Sequence, residues 1–218
     1  MSSRDVILGR IRSLLAGGPA AALPPVSEVW PRLQPSVADM AERFTQELTT
    51  VAGEVIRCAD TDDARAKLAE LAAKSGWSQL AAMDRPECRK LVEGPGAPQI
   101  AWAQPDWTPT GMADLPASLI VADRLLADTG TSVIACPTAQ DRLLCYLPPA
   151  CVVVGFADRL AEHLPAAWEP IAQRAADPQT RGEFVLITGP SRTSDIEKIL
   201  ILGVHGPKRL IVLLIDRQ

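Results

Sequence analysis

The chain has few of the residues that usually mark a specialised chemistry. Phe, Trp and Tyr together make up 4% of its 218 residues, and there are only two histidines. Basic residues do not outnumber acidic ones, and the formal net charge is −4. A nucleic-acid-binding surface normally has a basic excess that neutralises phosphates. The composition therefore argues against a nucleic-acid partner, and two histidines argue against a multi-histidine metal site.

The five cysteines are scattered and form no C-x-x-C pair. Structural zinc and iron–sulfur sites take several thiolates from short spacings, because one local loop must wrap the metal. We therefore expect no metal or other cofactor, and five small buried side chains in a reducing compartment. Cys136, which precedes Pro137 near a predicted strand end, is the one candidate for a reactive thiol.

Long hydrophobic segments are also missing. The longest uncharged apolar run, 143–157, has 15 residues and contains Pro148 and Pro149, whereas a membrane-spanning helix needs about 20. Asp5 and the glycines at 17 and 18 argue against a signal peptide. We predict a cytoplasmic protein without a membrane span.

Composition divides the chain in two. Residues 1–50 are interpreted as an N-terminal helical arm, with helices over 3–15 and 36–50 joined by an extended Pro-rich linker over 16–35. Two roles for the arm stay open, a strap over the core or a contact with a partner. Residues 51–218 are interpreted as one α/β domain.

Strands and helices alternate through this domain. The pattern predicts strands at 54–58, 79–83 and 150–157, two strands within 118–137, and helices over 61–74 and 158–173, whereas 94–116 reads as an irregular loop. The last 35 residues predict a βαβ unit, with strands at 184–188 and 209–216 and a helix over 194–202. Continuous apolar strands indicate a sheet covered on both faces. The fold class is therefore α/β, a three-layer α/β/α arrangement of an open, mostly parallel sheet.

The segment that leaves the strand at 184–188 is the strongest candidate for an anion-binding turn. Ser194 and Glu197 have the spacing of a capping box, which predicts a helix N-terminus with free N–H groups. In a parallel sheet such a turn faces the ligand crevice at the strand C-termini. The alternative is an ordinary capped helix. The hydroxyls of Ser191, Thr193 and Ser194 and the guanidinium of Arg192 would donate to a carboxylate or phosphate, and Gly189 would let the backbone approach it closely. The candidate ligand-binding residues of the turn are Gly189, Pro190, Ser191, Arg192, Thr193, Ser194 and Asp195.

Asp128 and His205 are two further candidate functional residues. Asp128, in the segment Ala-Asp-Thr-Gly-Thr (127–131), is a candidate general base, nucleophile or ligand clamp, or else an Asx turn that closes a hairpin. His205, next to Gly206 in a loop before the last strand, is a candidate acid–base group or a structural hydrogen-bonding residue.

Taken in order, several motifs resemble the lactate-utilisation protein C family, whose members are LUD-domain proteins. They are A-D-T-G-T (127–131), L-P-P (147–149) before a Val-rich strand, I-T-G-P-S-R-T-S-D-I-E (187–197) and L-G-V-H-G-P (202–207). The resemblance runs from about residue 118 to 216. It implies a NagB/RpiA/CoA-transferase-like fold and a role in oxidising L-lactate to pyruvate beside two iron–sulfur subunits.

The resemblance also implies one cleft that gathers the candidate residues. Asp128 and His205 would be catalytic, and Thr129, Gly130, Thr131 and Gly206 would bind ligand together with the anion-binding turn. The family pattern usually has Glu where Asp128 stands, so the carboxylate here is one methylene shorter.

The expected function is that of a lactate-utilisation component that binds a small carboxylate or phosphorylated ligand. Two alternatives stay open, a stand-alone acyl-transfer or CoA-handling enzyme that uses Asp128, and a non-catalytic assembly subunit. The sequence does not decide whether the chain is an enzyme.

Overall fold

The first element is a helix of 13 residues, α1 (Ser3–Leu15), and it confirms the helix predicted over 3–15. A computed structural model describes residues 3–15, 30, 33–94, 96–178, 182–193, 201–202 and 206–216. The chain divides into one compact unit over Met1–Pro31 and another over Arg32–Gln218. Within the first unit, the apolar side chains of Val6, Ile7, Ile11 and Leu14 are exposed.

Helix α2 (Val37–Thr50) opens the second unit. Ser36 and Asp39 form a capping box that fixes its N-terminus. The sequence groups this helix with the arm, but in the structure its apolar stripe enters the core of the second unit, where Phe44 and Leu48 are fully buried. The spacing of that stripe is the one expected for a helix that covers a core.

Within the described part of the chain, twelve strands and five further α-helices follow. The strands are β1 (Glu54–Cys58), β2 (Gln79–Ala82), β3 (Gln99–Trp102), β4 (Ala117–Val121), β5 (Arg124–Leu126), β6 (Thr131–Cys136), β7 (Ala150–Phe156), β8 (Leu160–Ala161), β9 (Glu183–Ile187), β10 (Arg192–Thr193), β11 (Ile201–Leu202) and β12 (Arg209–Ile215). The helices are α3 (Thr61–Ser75), α4 (Pro86–Leu91), α5 (Pro109–Ala113), α6 (Ala139–Leu144) and α7 (Leu164–Ala176). None of the described helices is long and apolar enough to cross a membrane.

Six strands form a parallel sheet in the order β1-β12-β7-β4-β2-β3. Every residue of β4 and β7 is buried, and so is β12 after its first residue. Val152 of β7 lies in register between Leu119 and Ile211. Strands buried on both faces need apolar side chains at every position, which is why their continuous apolar runs predicted them. The α/β class is confirmed.

A second, four-stranded sheet has the order β8-β5-β6-β9, and the sequence did not predict it. Strands β5 and β6 form an antiparallel hairpin, and β9 pairs antiparallel with β6, with Leu186 opposite Val133. The predicted βαβ unit is therefore wrong, because β9 belongs to this sheet and does not join β12 in the parallel one. Its apolar run resembles a fully buried strand, yet β9 is an edge strand in which Leu186 is 49% exposed.

The predicted helix over 194–202 is wrong at its C-terminal end. Ile201–Leu202 is a strand that pairs antiparallel with Arg192–Thr193. The predicted capping residues Ser194 and Glu197 lie outside the described residues. The region from 94 to 116 is also more regular than predicted, since it contains β3 and α5.

The helix predicted over 158–173 begins later, at Leu164. Residues 160–161 instead pair with β5, and Pro165 occupies the first turn of α7, where its missing N–H costs nothing. His163, which the sequence places on the surface of that helix, is buried and caps it. Its Nδ1 accepts a hydrogen bond of 3.1 Å from the N–H of Ala166.

Candidate functional site

The carboxyl edge of the parallel sheet contains a change of chain direction between β2 and β4. From β2 the chain moves outward to β3, and from β4 it moves the other way to β7. In open α/β sheets ligands bind in the crevice that such a reversal leaves at the strand C-termini. The segments that follow β2, β4 and β7 are therefore the first place to look for a site.

A pocket of about 220 Å³ lies at this position. Segments that follow β2, β4 and β7 supply five of its six charged side chains. Helix α7 supplies the sixth charged side chain and two apolar ones, and β9 supplies a phenylalanine. The pocket is lined by Arg85, Glu87, Asp123, Arg124, Arg159, Pro170, Ile171, Arg174 and Phe184. We call it the arginine pocket, because four of these nine residues are arginines.

Asp123 binds two of the four arginines of the arginine pocket. Its Oδ1 accepts hydrogen bonds from Nη1 of Arg85, at 3.1 Å, and from Nη1 of Arg174. Its Oδ2 accepts a hydrogen bond of 2.7 Å from the N–H of Ala135. The side chains of Asp123 and Arg85 are only 12% and 15% exposed. A shielded carboxylate shared by two guanidinium groups fixes both of them in place.

A second ion pair joins Glu87 to Arg159. Nη2 of Arg159 donates to Oε1 of Glu87 at 2.6 Å, and Nη1 donates to the carbonyl of Ala122 at 2.8 Å. The guanidinium carbon of Arg159 also lies 4.7 Å from the centre of the Phe156 ring, a cation–π geometry. Burial acts to raise the pKa of Glu87, but the hydrogen bond and charge of Arg159 outweigh it, and the pKa is lowered. Glu87 is therefore ionised at neutral pH.

Arg124 differs from the other arginines. It lies half-buried at the pocket, and its guanidinium donates to the backbone carbonyl of Asp123 at 3.2 Å. Among the described residues no carboxylate pairs with it. Its charge is therefore the one most open to an incoming anion.

A smaller pocket of about 200 Å³ lies at the same edge of the sheet. The carboxylate of Asp84 accepts two hydrogen bonds from Arg89, at 2.6 and 2.7 Å, and the hydrogen bond from Arg89 lowers the pKa of Asp84. Two acidic residues and no basic residue line this pocket, so it is less suited to an anion than the arginine pocket. It is lined by Asp84, Ala103, Gln104, Pro105, Thr138, Gln140 and Asp141.

Sequence reasoning missed the arginine pocket, although a signal was present. The dipeptide Asp-Arg follows four of the six parallel strands within two residues, as Asp84-Arg85 after β2, Asp123-Arg124 after β4, Asp158-Arg159 after β7 and Asp216-Arg217 after β12. A recurrent charged pair after buried strands points to the edge where their carboxyl ends meet. The three pairs that contribute to the arginine pocket, those after β2, β4 and β7, lie 35 to 39 residues apart, so no local motif reveals them.

Those predicted site residues that the structure describes lie elsewhere. Asp128 lies in the turn that joins β5 to β6, at the end of the hairpin opposite Asp123. A chain of hydroxyl contacts leads from it: Oγ1 of Thr129 lies 3.2 Å from Oδ1 of Asp128 and 2.7 Å from Oγ1 of Thr131. Oγ1 of Thr131 lies 2.7 Å from Oγ1 of Thr188. The structure therefore brings the hairpin turn to the segment that precedes Gly189.

Two glycines pack this group against the end of α2. Gly130 has φ +64° and Gly189 has φ +85°, a backbone region that side chains disfavour. A Cβ at Gly130 would lie 2.4 Å from the backbone nitrogen of Leu48, and one at Gly189 would lie 2.9 Å from the carbonyl oxygen of Val51. Both turns therefore need glycine for conformation and for close approach.

Ser191 and Gly206 meet at the opposite edge of the parallel sheet from the arginine pocket. The N–H of Ser191 donates to the carbonyl of Pro207 at 2.9 Å. Lys208 follows Pro207, and its N–H donates to the carbonyl of Pro149, just before β7. A Cβ at Gly206 would lie 3.0 Å from Cβ of Ser191. These contacts lie at the amino ends of β7 and β12.

The predicted location at the strand C-termini is therefore wrong for this group, because β9 runs antiparallel to β6 and delivers Gly189 to the amino edge. Pro190 is buried next to Ser191, whereas Arg192 is exposed, and Thr193 continues β10. Ser194, Asp195 and His205 lie outside the described residues.

Comparison with known proteins adds a family and a fold. The sequence profile of the LUD domain matches residues 41–215. "Lactate utilization protein C" of Bacillus pumilus (strain SAFR-032) is 34% identical over 102 residues, which cover 46% of this chain and 42% of that protein. "Uncharacterized protein YkgG" of Escherichia coli (strain K12) is 26% identical over 133 residues, 60% of this chain and 54% of that protein. The chain thus matches about half the length of these curated relatives.

Among solved structures, a DUF162 family protein from Deinococcus radiodurans superimposes with a TM-score of 0.60. The superposition covers 83% of this chain and 99% of that one, at 17% sequence identity. At this identity the similarity shows the fold alone.

Proposed function

The chain belongs to the LUD domain family, and we propose that it binds a small organic anion, a carboxylate or a phosphorylated compound, in the arginine pocket as a component of a lactate-utilisation system. The name of the Bacillus pumilus relative supports the second part of this proposal. The arginine pocket supports the first.

The observation that carries the proposal is the convergence of four guanidinium groups at the point where the sheet reverses direction. A guanidinium group is always charged and presents a planar set of donors that matches carboxylate and phosphate oxygens. Arg85 and Arg159 each hold a backbone carbonyl as well as a carboxylate. They are thus fixed before a ligand arrives, which lowers the entropic cost of binding.

Each residue has a distinct role in this proposal. Asp123 and Glu87 position the guanidinium groups, and Arg124 and the unused donors of Arg85 and Arg159 contact the anion. Ile171, Pro170 and Phe184 offer an apolar wall to a short carbon chain. L-lactate oxidation itself, in this proposal, occurs on partner subunits that carry iron–sulfur clusters, because the five cysteines of this chain lack the spacing of a cluster site.

Calorimetric titration of the full chain with L-lactate, pyruvate, malonate and inorganic phosphate tests the proposal. We expect at least one probe to bind, and Arg124→Gln to weaken it by about tenfold or more, the effect of losing a charge-assisted hydrogen bond. Arg192→Gln, at the amino edge, should leave the affinity unchanged. The reverse pattern would move the site to the segment predicted from the sequence, and no binding of any probe would overturn the proposal.

A further inference from the structure

The lining of the arginine pocket is not electrically balanced. Four guanidinium groups face two carboxylates, which leaves two positive charges among the lining residues. The guanidinium groups do not deprotonate in proteins. Glu87 is ionised at neutral pH because Arg159 lowers its pKa against the effect of burial. The imbalance of two charges therefore holds at neutral pH.

The charges are also fixed in space. Arg85 is held by Asp123 and by the carbonyl of Ala135, and Arg159 is held by Glu87 and by the carbonyl of Ala122. Neither carboxylate can leave its partners without exposing a shielded guanidinium group to an unpaired environment. Among the described residues that line the pocket, Asp123 and Glu87 are the two carboxylates, so an anionic ligand would add the negative charge that the lining lacks.

From this balance we propose that the arginine pocket selects a doubly charged anion, a short dicarboxylate or a small phosphate monoester, over singly charged acids such as lactate and pyruvate. This inference rests on the proposed function and adds the charge class of the ligand. A monoanion would leave one fixed positive charge uncompensated in a partly enclosed site, where charges interact more strongly than in water. A dianion would compensate both excess positive charges of the lining.

The size of the pocket limits the ligand further. A volume of about 220 Å³ is below the range of roughly 300–1,000 Å³ found for drug-sized ligands. A compact acid of three or four carbons fits this description, with its two anionic ends toward the arginines and its carbon chain toward Phe184 and Ile171. A nucleotide or a complete CoA molecule exceeds that space.

The test compares the affinities of four probes, L-lactate, pyruvate, malonate and glycerol 3-phosphate, by calorimetry of the full chain at pH 7.5 and constant ionic strength. For the unmodified chain we expect malonate or glycerol 3-phosphate to bind at least tenfold more tightly than both monoanions. The comparison of malonate with glycerol 3-phosphate distinguishes the dicarboxylate from the phosphate monoester.

Two variants at one position isolate the charge. Arg124→Gln removes one positive charge without removing the partner of a buried carboxylate, so the fold should persist, and the preference for dianions should fall severalfold. Arg124→Lys keeps the charge and should retain most of the preference. Arg43→Gln changes an exposed residue of α2 and is the control for general charge effects. It should alter neither the affinity for dianions nor the affinity for monoanions.

The outcomes separate the two proposals. Monoanions that bind as tightly as dianions, with an affinity that still depends on Arg124, would overturn the dianion inference and leave the proposed function standing. Binding that is unaffected by Arg124→Gln, or no binding of any probe, would overturn both.

Discussion

Gly130 lies directly against the backbone of Leu48, so that a Cβ at Gly130 would be 2.4 Å from the amide nitrogen of that residue. The contact joins the β5–β6 hairpin to the end of α2. Real Cβ atoms do not approach backbone so closely, and a backbone cannot swing aside as a flexible side chain does. The hairpin turn and α2 are therefore mutually dependent.

Gly130→Ala should destabilise the protein by roughly 2–4 kcal/mol, the sum of an overpacking cost and the penalty of a left-handed alanine. Gly76→Ala is the matched control, because Gly76 has a similar φ of +70° but open space around it. It should cost only about 1 kcal/mol. Urea unfolding followed by circular dichroism measures both, and equal effects would show that the contact with Leu48 is unimportant.

The apolar runs of β4, β7 and β12 predicted these strands because strands buried on both faces need such runs. The same rule failed for β9, where four apolar residues in a row lie in a half-buried edge strand. The length of an apolar run does not show which strand it pairs with. The pairing of β9 with β6 places β9 in the second sheet.

The arginine pocket could not be predicted from the sequence for a related reason. Its charged residues come from positions 85 to 174, and only the strand order brings them together. By contrast, the structure brings Asp128, Thr129 and Thr131 to Thr188, and it separately brings Ser191 to Gly206. That all of these residues share one ligand-binding cleft, as the family resemblance implies, stays a prediction.

Phe44→Ala should cost about 3–5 kcal/mol, because it removes a fully buried aromatic side chain from the core. Arg43→Ala, at the adjacent exposed position, should change the free energy of unfolding by no more than about 0.5 kcal/mol. The comparison tests whether α2 belongs to the folding unit, as its burial indicates, or to a separable arm. Similar midpoints for both variants in urea would favour the separable arm.

None of the five cysteines should react quickly in the folded protein, since all five are buried. Burial raises the pKa of Cys58 to about 11 and that of Cys88 and Cys151 to about 12. The hydrogen bond with Cys136, 3.9 Å away, and burial raise the pKa of Cys145. Because the thiolate is the reactive form, labelling with Ellman's reagent at pH 8 should require unfolding, after which five thiols react. A fast thiol that Cys136→Ser removes would instead support the reactive cysteine considered from the sequence.

Asp128→Asn should leave anion binding within twofold of the unmodified chain, because Asp128 lies at the opposite end of the hairpin from the arginine pocket. It should also change stability by less than about 1 kcal/mol, since asparagine tolerates the same turns. The acyl-transfer alternative makes a different prediction. If the isolated chain turns over an acyl-CoA, and Asp128→Asn abolishes this while Asp128→Glu retains it, then Asp128 is a catalytic carboxylate and the acyl-transfer function is the correct one.

The ion pair between Glu87 and Arg159 should make stability depend on pH in the acid range. Glu87 has a lowered pKa in the folded protein, so its contribution is fully present above its ordinary value of about 4.3 and is lost as the pH falls through the folded value. Glu87→Gln should therefore be less stable than the unmodified chain at pH 7, and the difference in unfolding free energy should shrink between about pH 5 and pH 3. Arg159 keeps the carbonyl of Ala122 and the ring of Phe156, so the variant should still fold.

Glu93→Gln is the control for this comparison, because Glu93 is exposed and pairs with no cation among the described residues. Its difference from the unmodified chain should stay near zero at every pH. Thermal unfolding in buffers of equal ionic strength, at half-unit steps of pH, provides the measurement. A gap between Glu87→Gln and the unmodified chain that stays constant down to pH 3 would mean that the carboxylate contributes through packing. In that case the fixed charges assigned to the arginine pocket would have to be recounted.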